Sequence, residues 1–281
     1  MAAVNQNMAV VVADPTFSAQ VPRAAHFSVF TTRSAGRIDV HQERLGLFVV
    51  STATGLAPVA DLVHRASSLH KLRALFVRAD VDCSWSLPLL ERAGIRALRN
   101  TIVHNSPQLP ARVLRAWAWG AERELIADAV ATDDSLLVRD CALETISVPF
   151  ALIPTLADLP SRSRFEVDSD GSYLHWPETD THLSLSELRY ATDADYKSKT
   201  DLKRAVAHRR FGWAVAELRK KHGLHRTDVT GLSARQIARI ESGDVHPRLA
   251  TISTLAAAHG MPRNEYLDTL ADLLQVGPPP A

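Results

Sequence analysis

Gly231 and Gly243 bracket the eleven residues LSARQIARIES, a stretch long enough for two helical turns and little else. Ser233 and Gln236 stand in the S-x-x-Q spacing of a capping box, in which each side chain satisfies the other's backbone N–H at a helix start. Ile237 and Ile240 then share one helical face, so Ala234, Arg235, Ala238 and Arg239 must face elsewhere. The flanking segments obey the same logic. In FGWAVAELRKKHGL, Phe211, Val215 and Leu218 fall at i, i+4 and i+7, and Arg219, Lys220 and Lys221 lie where cations suit a helix C-terminus. Gly223 reads as the C-cap and Leu224 as its apolar follower. Pro247 is set in the first turn of the next helix, with Leu249, Ile252 and Leu255 as its core stripe. Gly260 closes that helix, and Arg263 to Leu274 fits a last one.

Short helices joined by a Gly-containing turn, the second capped and basic on its outer side, describe an all-α helix-turn-helix domain of five helices over 211–275. The string ELRKKHGL followed by GLSARQIARIESGDVHPRLATISTLAAAHGM resembles the XRE (Cro/C1-type) helix-turn-helix family of transcriptional regulators. The likeness rests on L-R-K-x-x-G-L, on S-x-x-x-I-x-R-I-E-x-G and on P-x-x-x-T-I-x-x-L-A. The interval from Leu224 to Leu232 is about three residues shorter than the family spacing, which predicts a stunted second helix near 226–230. The resemblance implies double-stranded DNA as partner, with the start of the recognition helix in the major groove, where arginine pairs bidentately with guanine. Carried over residue by residue, it assigns base contacts to Ala234, Arg235 and Arg239. Gln236 either joins them or is held in the capping box. Arg226, Ser233, Ser242 and Arg248 become candidate phosphate contacts, and the alternative for Arg239 is an ion pair with Glu241. One such helix reads too few base pairs to select a genomic site, so a homodimer on inverted half-sites is expected. Its interface falls either in the N-terminal region or on the helix near 201–210.

Charge is distributed accordingly. Residues 203–263 hold 12 Lys and Arg against 4 Asp and Glu, whereas the whole chain sums to only +1, leaving −7 on the remainder. A basic module joined to a mildly acidic partner domain is the electrostatic footprint of nucleic-acid binding, the alternative being a solvated basic helix face with no partner, and charge alone does not choose between them. No run approaches the ~18 apolar residues of a membrane span, and the N-terminus lacks the basic region of a signal peptide. Cys83 and Cys141, the two cysteines, suit a reduced pair in a cytoplasmic protein rather than a disulfide framework.

The rest of the chain reads as an α/β or α+β region with a small β-rich unit. Residues 1–25 lack a period and are expected to be a flexible tail. Residues 26–160 alternate strand-like and helix-like stretches: HFSVFTTR, RIDVHQERLGLFVV and RALFVRAD as strands, 57–72 and 87–95 as helices. LPARVLRAWAWGAERELIADAV is ambiguous. Trp117 and Trp119, at i and i+2, read as one side of a strand, and Asp133-Asp134 as a turn. Residues 161–192 form a second unit around an Asp170-Gly171 hairpin turn, and 193–210 a linker or helix entry. The stretch 163–189 resembles a small bacterial domain of unknown function. Asp168-Ser-Asp170-Gly171 reads as that turn rather than a calcium loop, whose twelfth position here is Thr179 instead of Glu. His175, Asp180 and His182 are conceivable zinc ligands, but His-Trp-Pro reads better as a strand end with Trp176 packed beneath, so no metal is expected. Asp80, Asp82 and Cys83 follow a predicted strand, yet no phosphate loop, catalytic triad or HExxH accompanies them. No catalytic residue and no cofactor is expected. The leading reading is a dimeric repressor, with residues 26–160 open to a protein partner or small-molecule effector. Its rivals are an antitoxin-like protein that controls its own promoter and an enzyme fused to a DNA-binding domain.

Overall fold

A computed structural model describes residues 7–14, 16–17, 20–79, 100–157, 159 and 161–277. Asp80, Asp82, Cys83 and the helix expected at 87–95 lie outside them. The chain divides into two compact units, 1–192 and 193–281.

The first unit is built on a five-stranded sheet: β1 (Asn7–Val12), β2 (Phe27–Thr31), β3 (Leu45–Thr52), β4 (Leu72–Arg78) and β5 (Thr101–His104). Its order is β2-β1-β3-β4-β5, and every neighbouring pair is parallel. The N-terminal stretch read as a tail therefore supplies, at Asn7–Val12, a central strand. The physical reason lies in the alternation of its side chains. Ala9 and Val11 face one apolar layer with Val49, Leu75 and helix α1 (Ala60–Ser68), whereas Met8, Val10 and Val12 face another with Phe48, Phe76 and helix α2 (Gln108–Trp119). A strand buried on both faces is apolar throughout and shows no period of two.

Helix α2 resolves the ambiguous stretch, and Trp117 and Trp119 lie on it rather than on a strand. Trp117 packs edge-on to Phe48 at 5.5 Å, and its Nε1 donates to the Cys141 carbonyl. Trp119 is 61% exposed. Residues two apart on a helix point about 200° apart, so the pair splits between core and solvent. Gly120, at φ 68°, ends the helix. Cys141 is buried, and burial pushes its thiol up to about 12, far from reactivity.

Two small antiparallel sheets complete this unit. Strands β6 (Ile126–Ala131), β7 (Ser135–Asp140) and β8 (Thr145–Pro149) form a meander, with the Asp133-Asp134 turn joining the first two. A four-residue helix, α3 (Pro154–Ala157), follows. Strands β9 (Glu166–Val167), β10 (Tyr173–Trp176) and β11 (Thr181–Ser184) follow in turn, with Asp170-Gly171 in the first hairpin. Gly171 sits at φ 86°, and a Cβ there would lie 2.4 Å from the Ile126 carbonyl oxygen, so only glycine fits. Residues 161–192 share one core with 126–156: Ile126, Leu136 and Phe150 pack with Leu174, Trp176 and Leu188, the last from helix α4 (Leu185–Thr192). The Arg189 guanidinium, 2.5 Å from buried Asp140, ties the same pieces together.

In the second unit the expected linker and first helix are one rod, α5 (Ala194–Lys221), whose 28 residues span about 42 Å. The Asp193 carboxylate caps it by accepting the Tyr196 N–H. A single 3-10 turn, Arg226–Asp228, stands where a stunted second helix was expected. Helices α6 (Ala234–Glu241), α7 (Leu249–Ala258) and α8 (Arg263–Val276) follow, with Gly223, Gly231, Gly243 and Gly260 all at positive φ between them. Val215, Leu218, Ile237, Ile240, Ile252, Leu255, Tyr266 and Leu270 form the core. Leu249 does not join that stripe. It opens α7 and is 58% exposed.

Candidate nucleic-acid interface

Helix α6 is placed by three devices. The first is the capping box at its start. Gln236 Oε1 accepts from the Ser233 N–H and hydroxyl at 2.8 Å each, and the Gln236 N–H donates to Ser233 Oγ at 3.2 Å. The alternative left open for Gln236 is thereby resolved locally: its side chain is engaged with the helix start.

The second device is a close backbone approach. Gly212 of α5 lies where an added Cβ would come within 2.4 Å of the Ile240 carbonyl oxygen and 2.6 Å of that of Glu241. Gly243 likewise lies where a Cβ would meet the Arg209 backbone at 2.7 Å. Glycine inside a helix ordinarily destabilises by about 1 kcal/mol relative to alanine. At Gly212 that preference inverts. Gly212→Ala is expected to destabilise the second unit by ~1–3 kcal/mol through overpacking against backbone that has no rotamer to change, and a lowered thermal midpoint with intact helical circular dichroism at low temperature is the measurement.

The third device is a buried ionic cluster. Glu241, the last residue of α6, receives Arg219 Nε at 2.5 Å and Nη2 at 3.3 Å, and Arg226 Nε at 2.7 Å. Arg219 Nη1 also donates to the Leu224 carbonyl at 2.6 Å. Burial alone pushes the Glu241 carboxyl up, but the hydrogen bonds and charges of the two guanidiniums together outweigh it and hold the group below its ordinary range.

These devices decide what is left outside. Ile237, Ile240 and Glu241 are buried, whereas Ala234, Arg235, Arg239 and Ser242 are exposed. Arg235 and Arg239 make no ion pair and no side-chain hydrogen bond among the described residues. Glu241, the alternative partner of Arg239, is turned inward and already taken. Beside Arg239 opens a cleft of about 270 Å³ lined by Gln236, Val245, His246, Arg248 and Thr251. Arg248 is exposed at its edge, as the N-cap residue of α7. Ser233 is exposed but occupied by capping, and the Ser242 hydroxyl donates to the Arg239 carbonyl. Arg226 is divided between solvent and Glu241, so its first role is structural. The arrangement presents two free guanidiniums on a rigid rod, with a third close by. That is the chemistry that reads guanine edges and phosphates.

Sequence reasoning missed the part played by Glu241 and Gly212. The signal for the former was an acidic residue at a helix C-terminus, unfavourable to the helix dipole unless cations meet it. Glycine in mid-helix was the signal for the latter.

Residues 215–266 match the family model described as helix-turn-helix, of XRE type, and no curated protein matches the chain. The C-terminal region thus carries an XRE-type helix-turn-helix domain. Among the described residues, no helix is long and apolar enough to cross a membrane.

Proposed function

We propose, from the XRE-type helix-turn-helix domain at residues 215–266, that this chain is a sequence-specific transcription regulator that binds double-stranded DNA through α6, represses by occluding promoters, and acts as a cytoplasmic homodimer on inverted half-sites. The observation that carries it is the pair Arg235 and Arg239, exposed and unpaired among the described residues on a helix whose Ile237, Ile240 and Glu241 are buried and whose Gln236 is engaged in capping. Arg235, Arg239 and Ala234 address base edges, and Arg248 the backbone. Ser233, Ser242 and Arg226 are left to local structure or to backbone N–H and hydroxyl contacts with phosphate.

The first unit is the part that receives a signal, and its carboxyl edge is suited to that. Strand order reverses between β1 and β3, the switch point at which open parallel sheets bind ligands. There, buried Asp14 pairs with Arg78 at 3.0 Å and accepts from Thr16. His104, 8% exposed, donates from Nδ1 to the Ser106 carbonyl, which leaves Nε2 a buried acceptor with no partner among the described residues. Burial holds that imidazole below its ordinary range and so neutral. We assign this edge to effector binding and no catalytic step to the chain.

Sequencing of genomic DNA bound by the parent chain, beside an Arg235→Ala, Arg239→Ala variant, tests the reading. Inverted repeats enriched by the parent alone are expected. Equal enrichment by both, or none by either, overturns it.

A further inference from the structure

We propose that the outer face of the β10–β11 hairpin is a binding site for a divalent transition-metal ion of the zinc class, with His175, Asp180 and His182 as ligands. The site is independent of the DNA-binding reading. The antiparallel register sets His175 directly opposite His182, and their rings stack at 4.3 Å and 11°. One ring nitrogen of each and one Asp180 carboxylate oxygen all lie within 4.8 Å of one another. Asp180 Oδ1 is 3.4 Å from His175 Nε2 and 3.9 Å from His182 Nδ1. A tetrahedral ion with bonds of ~2.0–2.1 Å holds its ligand atoms roughly 3.3–3.4 Å apart. One edge of that tetrahedron is therefore already formed, and the others close when the exposed His182 ring releases its bond to the Asp180 carbonyl and turns out of its stack on His175, because imidazole lone pairs lie in the ring plane.

Two further observations favour a cation here. His175 Nε2 is buried and makes no hydrogen bond among the described residues, and the Asp180 oxygen lies 3.4 Å from it. His182 Nδ1 donates to the Asp180 carbonyl at 3.2 Å, so a metal ion would take its Nε2, or Nδ1 once that bond is released. Asp180 also holds φ at 49°, a left-handed backbone that folds the turn back over the strand pair. Glu166, opposite His175 on β9, extends the row and adds negative charge.

The strand-end reading of His-Trp-Pro holds together with this one, because strand residues alternate between faces. Leu174, Trp176 and Leu183 point into the core, and Trp176 Nε1 donates to the Arg162 carbonyl, which anchors the hairpin that presents the two histidines. Three protein ligands leave a fourth position open to water or to an exogenous donor, the coordination of a reactive or sensing site rather than a closed structural one.

The test uses the full chain with zinc ion alone, titrated in competition with a chromophoric chelator, and cobalt(II) as an absorbing substitute. One equivalent is expected per chain, with visible cobalt bands and a melting midpoint raised by zinc. His182→Ala and Asp180→Asn should weaken uptake at least ~10-fold and abolish the bands and the midpoint rise. Both positions are solvent-facing, and asparagine tolerates the left-handed backbone, so the metal-free variants should melt with the parent. The chain has 12 histidines, which makes that comparison decisive. No uptake by the parent at about 0.1 mM zinc, or uptake by both variants equal to the parent's, overturns the proposal.

Discussion

Replacing Arg235 and Arg239 together by alanine is expected to weaken binding to a specific operator by ~2–6 kcal/mol, roughly 30-fold to 10⁴-fold. Each bidentate arginine–guanine pair contributes about 1–3 kcal/mol of discrimination, and the two sit one helical turn apart on α6. Binding to a scrambled duplex should fall far less, because it is carried by phosphate contacts that neither residue dominates. The thermal midpoint should not move, since neither guanidinium has an ionic or hydrogen-bonded partner among the described residues. Arg226→Ala supplies the contrast. It removes a partner of Glu241 and should lower stability before it lowers specificity. Fluorescence anisotropy against operator and scrambled duplexes at several salt concentrations separates the cases. An operator affinity unchanged in the double variant would remove α6 from base reading.

Glu241→Ala should destabilise the helical unit by ~3–5 kcal/mol, because it strands buried Arg219 without its counter-charge. Glu241→Gln keeps the shape and one acceptor and should fall between. The same carboxylate makes stability pH-dependent. Its folded pKa lies below its unfolded one, so its contribution is complete above the ordinary carboxylate range of about 4 and is lost as pH falls through the folded value. His259 acts earlier. Burial outweighs its bond to the Leu255 carbonyl, and the nearby His222 adds to burial, so the imidazole is held below its ordinary value. A base depressed in the fold stabilises above its unfolded pKa near 6.5, and that stability erodes as pH drops from there. Thermal melts should show two stages of acid lability in the parent, with the lower one absent in Glu241→Gln. If Glu241→Ala melts with the parent, the cluster does not support the fold.

The helical unit was legible because its information is local. Capping pairs, glycines at helix ends and three- or four-residue spacings all act within a dozen residues, and Ser233, Gln236, Ile237 and Ile240 occupy the places their types require. The parallel sheet was not, because β1 has its partners some 20 and 38 positions downstream, at Phe27 and Leu45. Nothing in AVVV announces them, and burial on both faces erases the alternation that marks a strand. Trp117 and Trp119 misled in the opposite way, since Ala-Trp-Ala-Trp imitates alternation on a chain that is helical. The separation of 161–192 from what precedes it failed because Leu174 and Trp176 find their core across the sequence, against Ile126 and Phe150. At the interface, residue type indicated which side chains reach outward. Only distances showed that Gln236 and Arg226 are retained by their own domain.

Where α5 and α6 meet, main chain touches main chain at Gly212 and Gly243, with no side chain between them to yield. The joint therefore behaves as a weld and not a cushion. A twist or tilt applied at the Ala194 end of the long rod would arrive at Arg235 and Arg239 as an aiming error of similar angle, so the grip of those two side chains on a duplex is sensitive to torque on a point some tens of ångströms away along the helix.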